Sequence, residues 1–555
     1  MKRALRGTNR VAFSCLFFLL AGTSLRMTAR ASALPGTGTL SGTVSAPKPF
    51  QAAQVYARNT DRKVVFMVYT AGGKYQAVNL FPGNYEVSVS KKGFASDVKK
   101  VVVRAGEQAT VNFALREAAA EPMRPGNLQQ AARTVEELVP YDVLYPREPG
   151  REVAERTCIF CHGVNFVPTH QWNESQWNAA VDLMSNPRHP EGAQIPPGTL
   201  SPADRRNLVS YLTRNFGPIS KKRGLELTAE MPLDEQTLAK AMYVEYDLPV
   251  NANARPRTHD PHFDHDGNVF YTNAGENGIG KLDPRTGTFR HYPIPTPKAG
   301  PEGLTADAQG HIWWSGELAM GRLDPKTGEM VEYPLGKKGD IQIEAHTPAM
   351  DSKQNVWFTA LHGDKLGKWD RKTEKIIMWD APTPSPYGIA VDKKDRVWFA
   401  EYRFCKIGMF DPATEKFTEY SPLVTPCQPR RVGVDSKGTA WYAVHNSGML
   451  GKIDPESGKI VEYKIPVPYS TPYDAWPDRE DNIWVSDGGQ GGALIKFDPR
   501  TEKFLYYPSP RRTDMPKIEI TRDGAIWYCT RSADIQAVGV LYPDMNKITT
   551  LGAYY

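Results

Sequence analysis

The sequence predicts a multidomain, mainly β chain: a β-sandwich, then a small α-helical domain, then a seven-bladed β-propeller. Three observations carry that prediction. An apolar–aromatic pair recurs as Val269-Phe270, Ile312-Trp313, Val356-Trp357, Val397-Trp398, Ala440-Trp441, Ile483-Trp484 and Ile526-Trp527, at intervals of 43, 44, 41, 43, 43 and 43 residues. A second ladder tracks it through Asp283-Pro284, Asp324-Pro325, Asp370-Arg371, Asp411-Pro412, Asp454-Pro455 and Asp498-Pro499, fading to Tyr542-Pro543. Seven units of about four short strands each read as propeller blades. Upstream, short alternating runs between Gly turns give way to segments with apolar residues at helical spacing.

The first 33 residues read as a secretory leader. Lys2, Arg3, Arg6 and Arg10 precede an apolar run from Val11 to Ala21, and Ala31-Ser32-Ala33 supplies a cleavage site. That run is too short to span a membrane, and no later segment is apolar enough to do so. A periplasmic or secreted location after cleavage is expected. The net charge of +6 over 555 residues is spread without basic blocks, which argues against a nucleic-acid partner.

Residues 38–116 hold the strands of the sandwich. Leu40-Ser-Gly-Thr-Val44, Val64-Val-Phe66, Tyr85-Glu-Val-Ser-Val89 and Val111-Asn-Phe-Ala-Leu115 are separated by turns at Gly72-Gly73, Pro82-Gly83 and Ala105-Gly106. The pattern Gly42-Thr-Val, Gly73-Lys-Tyr75, Leu80-Phe-Pro-Gly-Asn-Tyr85 and Gly93-Phe94 resembles the carboxypeptidase regulatory-like domain. The resemblance implies a spacer without catalysis, in a wider fold that sometimes binds carbohydrate. An Ala- and Glu-rich linker with Pro122 and Pro125 covers 117–138.

Residues 139–218 are read as a helical haem domain. Cys158-Ile-Phe-Cys161-His162 is the attachment signature of a covalent c-type haem: the two thiols form thioethers and His162 ligates the iron. The nearby helices resemble those of a small cytochrome c domain. Glu174 to Ser185 repeats apolar residues at Trp177, Val181 and Met184, and Ser201-Pro202 opens a second helix. Met184 is the first choice for the sixth iron ligand, with His170, His189 or an open site as alternatives. Cofactor binding is thus expected at Cys158, Cys161, His162 and Met184.

The propeller is expected over 243–555, with Val244-Glu-Tyr-Asp-Leu-Pro249 as a strand that closes the ring against the last blade. The repeat Asn355-Val-Trp-Phe-Thr359, followed by Lys365-Leu-Gly-Lys-Trp-Asp370, resembles the streptogramin lyase (virginiamycin B lyase) family. Eleven residues before each aromatic, at the start of each innermost strand, stand His259, Glu302, His346, Tyr387, Arg430, Tyr473 and Pro516. After the second strands come Asn273, Glu317, His362, Glu401, Arg403, His445, Asp487 and Arg531. These converge on one face, where His259, Glu302, His346, Glu401 and His445 are the candidates for metal binding or acid–base work. The resemblance implies an acid–base His and a metal-binding Glu in the last blade, yet Met515, Pro516, Lys517 and Thr530 occupy the matching positions. Cys405 and Cys427 fall in neighbouring loops as either a disulfide or two buried thiols, and Cys529 is left single.

Together these features suggest an exported c-type haem protein that couples electron transfer to a redox partner or small-molecule substrate on the propeller face. No nicotinamide, flavin or quinone signature accompanies it. The alternatives are a streptogramin lyase-like carbon–oxygen lyase on that face, or a binding module with a haem relay.

Overall fold

The computed structural model describes residues 33–118 and 135–555, apart from 160–163, 165, 187–194, 196–199, 227–230, 250, 252–253, 255, 318, 337–342, 425–426, 490–491, 512 and 532–535. The leader, most of the linker, and Cys161, His162 and His189 therefore lie outside the described residues. No helix among the described residues is long and apolar enough to cross a membrane.

Two facing sheets build the N-terminal domain. One joins Lys74–Leu80, Gly38–Ser45 and Gln108–Thr110, with Phe113–Ala114 alongside Gly38–Ser45. The other joins Val64–Tyr69, Gln54–Asn59, Gly83–Ser90 and Lys99–Val103. Alternate residues Tyr85, Val87 and Val89 are buried between them, as period-two alternation requires.

Six four-stranded antiparallel sheets follow as blades 1 to 6. Blade 7 is built differently. Its strands Ile518–Ile520, Ile526–Cys529 and Ala537–Tyr542 pair with Met242–Asp247, which comes from before blade 1 and closes the ring. The far edge of Met242–Asp247 pairs with Val64–Tyr69 of the sandwich, so blade 7 and one sandwich sheet form a single sheet of eight strands. The innermost strands touch in cyclic order, from Thr258–Phe263 through Ile518–Ile520 and back to the first.

The repeat has two physical causes. In blades 2 to 6 the conserved-register indole N–H donates to an Asp six residues earlier: Trp313 to Asp307 (3.0 Å), Trp357 to Asp351 (2.9 Å), Trp398 to Asp392 (3.2 Å), Trp441 to Asp435 (3.0 Å) and Trp484 to Asp478 (3.1 Å). The other carboxylate oxygen closes the preceding turn, as when Asp435 accepts from the Lys437 and Thr439 N–H groups. Blade 7 has Thr521 there, and the buried Trp527 N–H has no acceptor among the described residues. Asp435→Ala should cost roughly 2–3 kcal/mol by stranding the indole N–H, whereas Thr521→Asp should gain about 1 kcal/mol. Opposite shifts in melting temperature check this.

The second cause is steric. Tyr271, Trp314, Phe358, Phe399, Tyr442 and Tyr528 each pair across to Gly280, Gly321, Gly367, Gly408, Gly451 and Gly539. A Cβ at these glycines would lie 2.0–2.4 Å from the ring, so the aromatic dictates the glycine. Blade 6 carries Val485 instead, and its partner is Ile495.

A helical unit lies between sandwich and propeller in sequence. The helices Glu174–Ser185 and Pro202–Asn215 open with capping boxes at Asn173/Gln176 and Ser201/Asp204. They pack Trp177, Val181, Leu208, Tyr211 and Leu212 into one core with Tyr145, Val153 and Phe216. Beside these helices Glu137–Val139 pairs in parallel with Arg223–Leu225. The unit leans on the propeller rim through Tyr141, stacked on Tyr469 at 5.8 Å.

Candidate functional site

The mouth of the central channel is lined by residues set in β-bulges. Register slips fall between Thr258 and Pro261, Ala345 and Pro348, Pro386 and Ile389, Pro429 and Val432, and Pro472 and Asp474. His259, His346, Tyr387, Arg430 and Tyr473 sit within these slips. An unpaired bulge residue is free to turn its side chain off the sheet face, which aims these five at the axis. Hydroxyls two residues after the aromatic pin the neighbouring backbone. Thr272 donates to the Glu302 carbonyl (2.9 Å), and Ser315 to the His346 carbonyl (2.5 Å).

Three donors from three blades meet here. Single ligand atoms of His259, Glu302 and His346 all lie within 4.8 Å of one another. His259 Nδ1–H donates to Asp260 Oδ1 (2.8 Å), and that carboxylate is held by Arg431 Nη2 (2.8 Å). His259 Nε2 is left facing Glu302 Oε2 at 3.3 Å. His346 Nδ1 is engaged by the Thr347 hydroxyl (2.8 Å), leaving Nε2. Glu302 Oε2 is buried without a hydrogen-bond donor among the described residues. A carboxylate or hydroxyl behind each imidazole is the outer-shell arrangement that fixes a metal-ligating His.

The charges around this group are sorted by burial. Burial opposes ionisation of Asp260, but the Arg431 charge and the His259 hydrogen bond hold its carboxyl well below the usual range. Burial, with Arg431 beside it, keeps the His346 imidazole far below its ordinary value and therefore neutral. His445 is likewise lowered to about 3 by burial and by Arg430. Its Nδ1 is engaged by Asn446 Oδ1 (2.7 Å), and its ring meets Tyr473 edge-on at 6.0 Å. The Tyr387 and Tyr473 hydroxyls share a short hydrogen bond. Arg531 pairs with Asp514 and also reaches Tyr473 Oη and His259 Nε2, both at 3.4 Å.

Not every expected residue belongs to this group. Glu401 is buried inside blade 4, where its contacts are Thr383 and Glu419, not the histidines. Burial and the neighbouring Glu419 push it up to about 8. The raised value means the folded state keeps a proton that the unfolded chain releases above its ordinary 4.5, so this site loses stability as pH rises towards 8. Glu401→Gln should therefore melt progressively higher than the parent as pH climbs from about 5 to about 8, and a flat difference would refute this. Asp487 serves a turn, accepting from Ser470, Thr471 and Gly489. Asn273 bonds Glu276, and His362 pairs with Glu344. Cys405 and Cys427 form a disulfide, and Cys529 is a buried thiol.

Arg431, Asp474, Glu519 and Tyr555 were not singled out from the sequence, whereas Asp260 and His262 belong to the run His259–His265, which reads there as a His and carboxylate set suited to metal binding or acid–base work. The hydroxyl ladder Thr272, Ser315, Thr359 was readable there, two places after each aromatic.

In the helical unit, Cys158 is half-buried on the turn Glu155–Ile159, at the edge of a core whose rim residues Ile159, Val164, Phe166, Trp172 and Leu200 are only partly covered. Met184 is also half-buried. His170 is wedged between Phe166 and Trp172, each 4.3 Å away, with Nδ1–H donating to the Phe166 carbonyl (2.7 Å).

Residues 239–497 match the virginiamycin B lyase family, and residues 39–116 match the carboxypeptidase regulatory-like domain. Among solved structures, a streptogramin B lyase is 24% identical, covering 54% of this chain and 97% of its own, with a TM-score of 0.49. Selenomethionine-substituted virginiamycin B lyase from Staphylococcus aureus is 22% identical, covering 54% and 99%, with a TM-score of 0.49. A catalytically inactive variant of that enzyme with quinupristin is 21% identical, covering 54% and 99%, with a TM-score of 0.48. No curated protein shows significant similarity to the chain.

Proposed function

We propose that the propeller mouth is a divalent-metal-assisted carbon–oxygen lyase site, with His259, Glu302 and His346 as the metal ligands. The observation that carries this is the convergence of their three donor atoms within 4.8 Å. Two imidazoles and one carboxylate, with positions left for substrate, make up the usual ligand set of a catalytic metal. The family match over 239–497 supports the lyase class. The ligands stand in blades 1 to 3, not in the last blade where the streptogramin lyase pair was expected, so the substrate need not be a streptogramin.

The cation would polarise the departing oxygen. A neutral imidazole of the mouth outside the ligand set, with His445 as the candidate, would take a proton from the carbon next to the one bearing that oxygen. The C–H electron pair forms the C=C bond, and the C–O pair leaves on oxygen. His259 Nε2 also accepts from Arg531, so loading the cation requires that guanidinium to withdraw towards Asp514, its existing partner. The test is to strip the protein with chelator, titrate Mn²⁺ or Zn²⁺ calorimetrically, and assay ester- and ether-linked compounds, quinupristin among them, by mass. A lyase product is no heavier than its substrate, whereas a hydrolytic product gains a water. Turnover that survives chelation would remove the metal from the mechanism.

The motif at Cys158, Cys161 and His162 favours a second function, covalent haem c binding in an exported protein. The half-covered apolar rim around Cys158 suits a porphyrin face. Bound there, the group would supply one-electron transfer. Cys158 would hold it covalently, and Met184 or His170 would offer the remaining ligand. Haem staining of denatured protein, produced in cells competent for cytochrome maturation, should be positive for the parent and lost in Cys158→Ala.

A further inference from the structure

We infer that Arg430 is the anchor for a carboxylate, so that the substrate of the mouth is a small organic acid; this deepens the reading of the mouth as a small-molecule site and rests on it. Arg430 is only 7% exposed. Among the described residues it has no ion pair and no hydrogen bond, and its buried Nε has no acceptor. The other buried guanidiniums of the propeller are matched: Arg431 to Asp260, Arg531 to Asp514, and Arg511 to Glu245 and Asp247. Arg430 is instead walled by the rings of Tyr387 (5.6 Å), Tyr402 (5.3 Å) and Tyr473 (5.0 Å). Ring faces attract a cation but do not neutralise it, and an uncompensated buried charge is strongly unfavourable.

The missing partner is therefore an anion that arrives with the ligand. A planar fork of N–H donors matches a carboxylate in bidentate fashion. One unpaired cation, with Lys517 already committed to Glu519, suits a monoanion better than a dianion. The placement is also suitable. Arg430 stands on blade 5, across the channel mouth from the ligand group on blades 1 to 3, so a bound acid would present its far end to the cation site. Arg430 is close enough to act on both His346 and His445 electrostatically. An anion seated on it would cancel the part of the His445 shift that Arg430 causes, with burial still the larger cause.

The test uses benzoate and its neutral counterpart benzamide as probes, on the full chain in excess chelator so that no metal contributes. Benzoate should raise the melting temperature and bind by calorimetry, and benzamide should do neither. Arg430→Met should weaken benzoate by about 30-fold or more. The same variant should melt higher than the parent without ligand, since its stranded charge is gone. His346→Ala should keep its benzoate response while losing divalent-cation binding, which separates failure of this inference from failure of the metal reading. Equal binding of benzoate and benzamide, an unchanged affinity in Arg430→Met, or a response to inorganic phosphate alone would each overturn the assignment.

Discussion

Glu302→Gln is expected to strip the propeller of its divalent cation while leaving the fold intact. Glu302 is the one anionic member of the donor group, and its Oε2 has no hydrogen bond to lose. The amide keeps the shape but removes the charge, so affinity should fall by at least about 100-fold, the upper end of what outer-shell substitutions alone achieve. Asp260→Asn should be milder, about 10- to 100-fold, because it leaves the ligands in place and only loosens the His259 ring from the Arg431-held carboxylate. Calorimetric titration of chelator-stripped protein measures both. A Glu302→Gln protein that binds the cation as well as the parent would sink the assignment.

Arg511→Met should be the most damaging single change to stability. Arg511 pairs with Glu245 (2.5 Å) and Asp247, both on the ring-closing strand, and Arg58 of the sandwich reaches the same Asp247 at 2.8 Å. Tyr528 of blade 7 donates to Glu245 at 2.8 Å. Glu245 is 0% exposed, and burial already raises its pKa. Removing the guanidinium leaves the buried Glu245 carboxylate without a cation and Asp247 with Arg58 alone, at a cost of roughly 3–5 kcal/mol. Denaturant unfolding at neutral pH checks the size. Lowering the pH should rescue part of the loss, since protonated carboxyls no longer need the cation. A variant as stable as the parent at neutral pH would show the network to be dispensable.

How much of this was legible in the sequence depends on whether a feature repeats. The blades were readable because Trp and Phe return at a near-constant spacing, and His259 and His346 because both occupy the same slot in their blades. The grouping of His259 with Glu302 and His346, to the exclusion of Glu401, was not readable. Both slots point to the same end of the propeller, and the bulges that turn His259 and His346 inward, like the position of Glu302 just ahead of its strand, have no signature in the spacing. Arg431 escaped notice because it lies one place past the repeat slot, where a strand residue would face the other way; the slip between Pro429 and Val432 changes that. The sandwich read as a spacer because nothing in its own strands announces that Val64–Tyr69 has a partner nearly two hundred residues downstream.

That pairing makes the molecule's assembly a matter of timing. The sandwich precedes the propeller in sequence, and until its partner strand is in place the edge at Val64–Tyr69 is bare. The strand that covers it, Met242–Asp247, comes far later in sequence, and that strand's other partner, Ala537–Tyr542, later still. Until then each intermediate carries an open row of backbone donors and acceptors, the kind of edge that invites pairing between chains. A chain ending before residue 537 should therefore accumulate as aggregate. The sandwich edge is capped only by the strand that also closes the ring, so the sandwich and the last blade act as a check on each other.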